Sequence, residues 1–439
     1  MSDEGSLCSS PEEAETSIWW PLEPASSGLP DSEPAGRCGH VAVVSGDGER
    51  LVVIGGYNAE GILSDIWEFG LETQEWTRVN LEAGSAPPER AYFRGCAGPP
   101  PGPDARQEGE PFVYVFGGTD VEGSASNDVW CLDLENRAWH EVHGGETSVA
   151  GEGEIPCARS NHSMCRMGGV LAVHGGESSS GSLLGDLWLF RPSNASWIEA
   201  QISPTGPCPS PRSSHCLAYA APPAEHSAEG CSASGSLVLF GGLGHAVESG
   251  DDGEDTMPLN DLWVLSPSSA GRGNTAASLE IALAGVDGGV EDSCSRPTWA
   301  LVLLDGVGPS PRSLATLSPR PCGSDLFLFG GYGLVELPGS GDAEEEGGGA
   351  IIVAYIDDLW RLGLGAIAGS GSSNGGGDSG WVDEQGMGFA GESMVEGRNG
   401  HTLTWCGEGK LVLFGGFVGD GFDATVHVAE PQTSANGGP

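Results

Sequence analysis

The chain has 439 residues, 38% of them apolar, with 73 glycines and 18 basic against 62 acidic side chains for a net charge of −44. A surface that acidic repels phosphate backbones and anionic lipid, so neither nucleic acid nor a membrane is expected as a partner. No apolar run reaches 18 residues, the start MSDEGSLCSSPEEAE has no signal-peptide core, and the 12 cysteines show no CxxC spacing. These features point to an intracellular protein, cytoplasmic or nuclear, with reduced thiols.

Residues 1–16 read as a disordered acidic N-terminus, followed by a short strand over 17–22 around Ile18-Trp19-Trp20. A unit then repeats six times. An arginine, usually after proline, opens it at Arg37, Arg90, Arg159, Arg212, Arg312 and Arg398. An apolar run such as LVVI or LVLF ends in a glycine pair, from Gly55-Gly56 to Gly415-Gly416. An aspartate–aliphatic–tryptophan triplet follows at Asp65, Asp128, Asp186, Asp261 and Asp358, and a later tryptophan closes the unit at Trp76, Trp139, Trp197, Trp299 and Trp381. In the clearest copy the spacing predicts strands over 160–167, 170–174, 187–190 and 197–199. A sheet that small has two faces to bury and needs neighbours on both sides.

These motifs resemble the kelch repeat over roughly residues 17–428. The resemblance implies an all-β fold, a six-bladed kelch β-propeller with four antiparallel strands per blade around a central channel. The last unit has Thr425-Val426-His427 in place of the triplet and no trailing tryptophan. Trp20 precedes Arg37 by 17 residues, as Trp381 precedes Arg398. The N-terminal strand is therefore expected as the outermost strand of the last blade, closing the ring. Acidic or glycine-rich insertions near 243–258, 267–295, 334–356 and 363–380 are expected to be flexible, and 429–439 to be a disordered tail.

In such a blade the loops between blades share one face with the loops joining the second and third strands. The six arginines are thus expected around one mouth of the channel. Guanidinium groups suit carboxylates, and the resemblance implies that Arg37, Arg90, Arg159, Arg212, Arg312 and Arg398 bind an acidic segment of another protein there. The competing reading is structural, each arginine tying down a loop carbonyl or a neighbouring carboxylate. His40, His162, His215 and His401 stand three residues after four of the arginines, with Phe93 and Ala315 in two other copies. One histidine per blade suits inner-strand packing better than metal ligation, because stacked sheets lie about 10 Å apart and zinc wants donors at about 2 Å. The repeated aspartates read as turn caps and the tryptophans as packing between blades.

The tyrosine, cysteine and histidine set of the galactose oxidases, the Asp-boxes of sialidases and the Glu, Asp and His motif of plant specifier proteins are not found. The reading is a monomeric kelch adaptor or scaffold that needs no cofactor or metal and binds another protein at the arginine-lined mouth. The alternative is an enzyme or small-anion binder using the same mouth.

Overall fold

A computed structural model describes residues 19–24, 31–81, 84–102, 112–145, 155–221, 235–245, 255–267, 279–284, 296–304, 306–321, 323, 325–336, 351–364, 380–384, 395–407 and 409–430. The third blade shows why these sequences form sheets. Its strands Ser163–Met167, Val170–Ser178, Leu183–Arg191 and Ser196–Glu199 pair antiparallel in that order. Successive side chains point to opposite faces. Ala172, Leu187 and Leu189 pack on the fourth blade, whereas Leu171, Val173, Trp188 and Phe190 pack on the second. Both faces are buried, so the apolar runs are continuous instead of alternating.

Each of the six hydrophobic clusters among the described residues lies mainly between two successive blades. The inner strands Val41–Val44, Arg94–Gly98, Ser163–Met167, Cys216–Ala220, Thr316–Pro319 and Thr402–Cys406 follow one another in a closed cycle, each against the next and the last against the first. The fifth blade is split in two at Gly330-Gly331. Its main sheet contains Thr316–Pro319, Asp325–Phe329, Leu359–Gly363 and Trp381–Asp383, and a second small sheet joins Arg312–Ser313, Tyr332–Glu336 and Ile351–Tyr355. The N-terminal strand Trp19–Leu22 lies antiparallel to Val426–Ala429 as the outermost strand of the last blade. Trp19 is 1% exposed and packs on Phe329 of the fifth blade at 5.2 Å.

Three features depart from the sequence reading. The second strand does not stop at the glycine pair: Val170–Ser178 runs through it, with a register shift between His174 and Gly176, and continues pairing with Leu183–Arg191 as a projecting hairpin arm. Gly175 and Gly176 take φ of 60° and 100°, and a Cβ on Gly176 would stand 2.7 Å from His162 Cβ. The pair is required for this passage. Part of the excursion expected to be flexible at 267–295 is a short helix, Leu279–Ala284, whose Leu279 and Leu283 are fully buried in the cluster between the third and fourth blades. The insertion at 334–356 is likewise built at both ends, since Tyr332–Glu336 and Ile351–Tyr355 form a hairpin. Residues 1–16, 431–439, most of 363–380 and the acidic centres of both hairpin loops lie outside the described residues.

Candidate functional site

The six repeated arginines come together as a buried collar at the hairpin end of the ring. In the third blade, Arg159 Nη1 donates to Gly175 O at 3.0 Å and to Asp186 Oδ1 at 2.7 Å, Nη2 to Asp186 Oδ2 at 2.8 Å, and Nε to Cys157 O at 3.1 Å. The same set recurs with Arg37 on Asp65, Arg90 on Asp128, Arg212 on Asp261 and Arg312 on Asp358. Arg212 and Arg312 also reach Ser210 and Ser310 hydroxyls, so that every N–H of those guanidinium groups is taken. Arg159 and Arg212 are 0% exposed. Arg37, Arg90, Arg159, Arg212, Arg312 and Arg398 thus bond to carbonyls and carboxylates of their own blades, the structural arrangement that the sequence set beside a binding mouth. Each bidentate pair also neutralises its own charge.

The aspartates are therefore not turn caps. In each of the five triplets the carboxylate accepts from its arginine and also from the indole N–H two residues on, at 2.6–2.7 Å. Burial works against the ionised form of Asp65, Asp128 and Asp186, but hydrogen bonds and charge from Arg37, Arg90 and Arg159 outweigh it and hold all three below the usual carboxylate range. The sixth blade solves the same problem differently. Thr425 occupies the triplet position, and Asp423 supplies the carboxylate to Arg398, positioned by the Thr425 N–H at 3.0 Å and hydroxyl at 2.8 Å.

A backbone ring, not legible in the residue pattern, lies inside the collar. Two residues after each arginine the chain is left-handed, with φ between 51° and 62° at Gly39, Tyr92, Asn161, Ser214, Leu314 and Gly400. Their amides link blade to blade: Gly39 N–H to Gly400 O, Gly400 to Leu314, Leu314 to Ser214, Ser214 to Asn161, and Asn161 to Tyr92, at 2.7–3.2 Å. Non-glycine residues adopt this conformation rarely, and the five blade-to-blade hydrogen bonds among these six positions compensate for it. The histidines follow immediately. His40, His162 and His401 set their rings edge-on against Phe414, Phe116 and Phe329 of the preceding blade, at 5.1–5.2 Å. Trp76 and Trp197 cover the other side of Phe414 and Phe116. In the third blade His174 replaces the phenylalanine, and its Nδ1 shares a proton with His215 Nε2 at 3.0 Å. Burial holds His40, His162 and His215 well below the ordinary imidazole range, and His174 and His401 at about 3.

Below the backbone ring the inner strands enclose a cavity of about 620 Å³, lined among others by His40, Arg94, Ser163, Cys216, Thr316 and Thr402. Above and beside the ring, on the hairpin end, lies a chain of six aromatic rings in contact. Tyr92 meets Tyr57 at 4.8 Å, Tyr57 meets Phe422 at 6.0 Å, Phe422 meets Phe417 at 5.1 Å, Phe417 meets Tyr355 at 5.6 Å, and Tyr355 meets Tyr332 at 5.1 Å. They come from the second, first, sixth and fifth blades, and none is fully buried. The fifth-blade hairpin extends the patch with exposed Ile351, Ile352 and Val353. Asp357, Glu396 and Asp420 share a rim pocket with Tyr355. Sequence reading missed this arc because its members fall on hairpin arms that were not foreseen; the signal available was an aromatic shortly after three of the glycine pairs, at Tyr57, Tyr332 and Phe417.

A family model described as the KLHDC2/KLHL20/DRC7 Kelch-repeats domain matches residues 24–221 and 109–271, together more than half of the chain. Human host cell factor 1 is 26% identical over 310 residues, 68% of this chain and 12% of that protein. The host cell factor homolog of Caenorhabditis elegans is 26% identical over 340 residues, 74% of this chain and 34% of that protein. Adagio-like protein 3 of Oryza sativa subsp. japonica is 29% identical over 307 residues, 63% of this chain and 43% of that protein. The matched region thus spans well under half the length of each of these relatives.

Proposed function

Because the chain belongs to the kelch-repeat family, whose blades here form a ring with one aromatic-rich end, we propose that it is a protein-interaction module whose partner docks across the aromatic arc. The observation that carries this reading is the arc itself: six rings in contact, each partly exposed, and continuous across four blades. Tyrosine and phenylalanine offer large rigid contact area at little entropic cost, which is why such residues anchor interfaces. The neighbouring Ile351, Ile352 and Val353 form an exposed apolar strip.

The charge of the partner segment follows from what surrounds the arc. The collar arginines are each paired with a carboxylate of their own blade, which lowers their attraction for an acidic segment. Asp357, Glu396 and Asp420 beside Tyr355 suit a basic side chain, which would lie against tyrosine as well as carboxylate. Burial raises the Asp357 carboxyl above its ordinary range, and a cation beside it would restore ionisation. The net charge of −44 steers a basic partner over longer range. The partner is therefore read as a segment with apolar anchors and at least one lysine or arginine.

Affinity capture from native lysate with the wild type and with Tyr355→Ala/Phe422→Ala tests this. Each truncation of an interface anchor removes about 2 kcal/mol of binding. Partners captured by the wild type should be lost by the variant while its melting temperature holds. Unchanged partners with an intact fold would move the interface off this face.

A further inference from the structure

We infer that the top of the central cavity is a binding site for one compact oxyanion, a carboxylate or phosphate, held by Arg94. Four residues after each collar arginine the blades present Val41, Arg94, Ser163, Cys216, Thr316 and Thr402, all lining the cavity just below the backbone ring. Arg94 is the single cation among the six. Arg90, four residues earlier, has both oxygens of Asp128 at 2.5 and 2.8 Å. Among the described residues Arg94 makes one hydrogen bond, from Nη1 to Phe93 O at 3.1 Å, and meets no carboxylate.

Among the described residues, the titratable groups around this guanidinium, Cys38, Tyr57, Cys216 and the inner-strand histidines, are uncharged at neutral pH, and Arg166 is a second cation lining the cavity. Cys38 and Cys216 are thiols, pushed up by burial to about 11 and about 12. His40, His162 and His215 are held neutral by burial, with the charge of Arg94 adding to the effect. The neighbouring polar groups are already engaged between blades: Ser163 Oγ donates to His215 O at 2.5 Å, Cys216 Sγ to Ala315 O at 3.2 Å and Thr316 Oγ1 to His401 O at 3.1 Å. At this level of the cavity Arg94 brings a planar fork of donors that fits two oxygens of one anion. A cation removed from bulk water without a counter-charge is unfavourable, and an entering anion offsets that cost.

The ligand must be compact. Gly39, Ser214, Leu314 and Gly400 of the blade-to-blade backbone links also line the cavity, whose volume is about 620 Å³. The body's net charge of −44 opposes any polyanion, but at physiological salt that field is screened over about 8 Å. Two sources share this chemistry: a free solute anion, or an acidic side chain of a bound partner.

Differential scanning fluorimetry of the full chain, at constant ionic strength set with sodium chloride, separates them. Sodium phosphate and sodium acetate are the free-anion probes, and a capped Ac-Gly-Glu-Gly-NH₂ peptide is the side-chain probe. The wild type should show a saturable rise in melting temperature with at least one probe, and isothermal titration should show affinity falling at least tenfold in Arg94→Gln. Arg94→Gln in chloride alone should melt no lower than the wild type, because it removes an uncompensated charge. Arg94→Lys keeps charge without the fork and should bind more weakly than the wild type while folding normally. A response to phosphate or acetate identifies a free solute, and a response to the peptide alone identifies a partner's carboxylate. Equal responses in wild type and Arg94→Gln, or none in the wild type, would overturn the assignment.

Discussion

The arginine collar and the aromatic arc lie at the same end of the ring, yet one recurs in every blade and the other does not. Each collar arginine meets the same carbonyl and carboxylate in its own blade, and Asp423 restores the pattern where Thr425 has replaced the usual aspartate. The arc runs over four blades and, among the described residues, is not continued in the other two. What recurs holds the blades together; what breaks the recurrence is the surface proposed for a partner. Arg90 and Arg94 show the same contrast within one blade, the first paired to Asp128 and the second facing the cavity alone.

The contrast breaks most sharply at the glycine pair. Gly176→Val places a branched side chain at a φ of 100° and against His162 and Ser160, and should cost more than about 3 kcal/mol, read as a shift in urea midpoint. Gly181 in the hairpin turn of the same blade has a φ of 80° but open space around it, so Gly181→Ala should cost only about 1 kcal/mol.

Acid should attack the recurrent part first. His40, His162, His174, His215 and His401 all have folded values depressed below an ordinary 6.5, to about 3 for His174 and His401. Below about 6.5 the unfolded chain takes up protons that the folded ring refuses, so their contribution is fully present above that pH and lost as pH falls toward 3. Below an ordinary 3.8, Asp65, Asp128, Asp186 and Asp423 begin to lose theirs as well. Denaturant melts across pH 7 to 4 should show stability falling continuously, and His215→Phe should flatten the upper part of that fall. The smallest effect belongs to the sixth blade: Thr425→Val removes the hydroxyl that orients Asp423 and should cost about 1 kcal/mol.

The ring was legible because its punctuation is covalent in origin. Only glycine tolerates the strand crossing at Gly175-Gly176, and only a fixed spacing brings Asp186 and Trp188 onto one strand beside Arg159. The closing strand was legible for the same reason, since Trp20 and Trp381 stand at equal distances from their arginines. What the arginines do was not legible. A guanidinium entering the innermost strand has the same sequence whether it faces the channel or turns back to Asp186, and the choice depends on where the hairpin arm carries that aspartate. The left-handed ring escaped notice because Tyr92, Asn161, Ser214 and Leu314 share no side-chain chemistry; their common property is backbone conformation alone. The helix Leu279–Ala284 was hidden by glycine-rich flanks, although Leu279 and Leu283 have the four-residue spacing of a buried face.

The central claim, that the repeated arginines are the ring's own fastening, is tested most directly by a double-mutant cycle on Arg159 and Asp186 with urea unfolding as the readout. Breaking one side of a buried pair costs about 3–5 kcal/mol, and removing both leaves no unpaired charge behind. Arg159→Met and Asp186→Leu should each shift the midpoint strongly, and the double variant should lose far less than the two shifts combined. An Arg159→Met protein that unfolds like the wild type would contradict the account and return the arginines to the mouth of the channel.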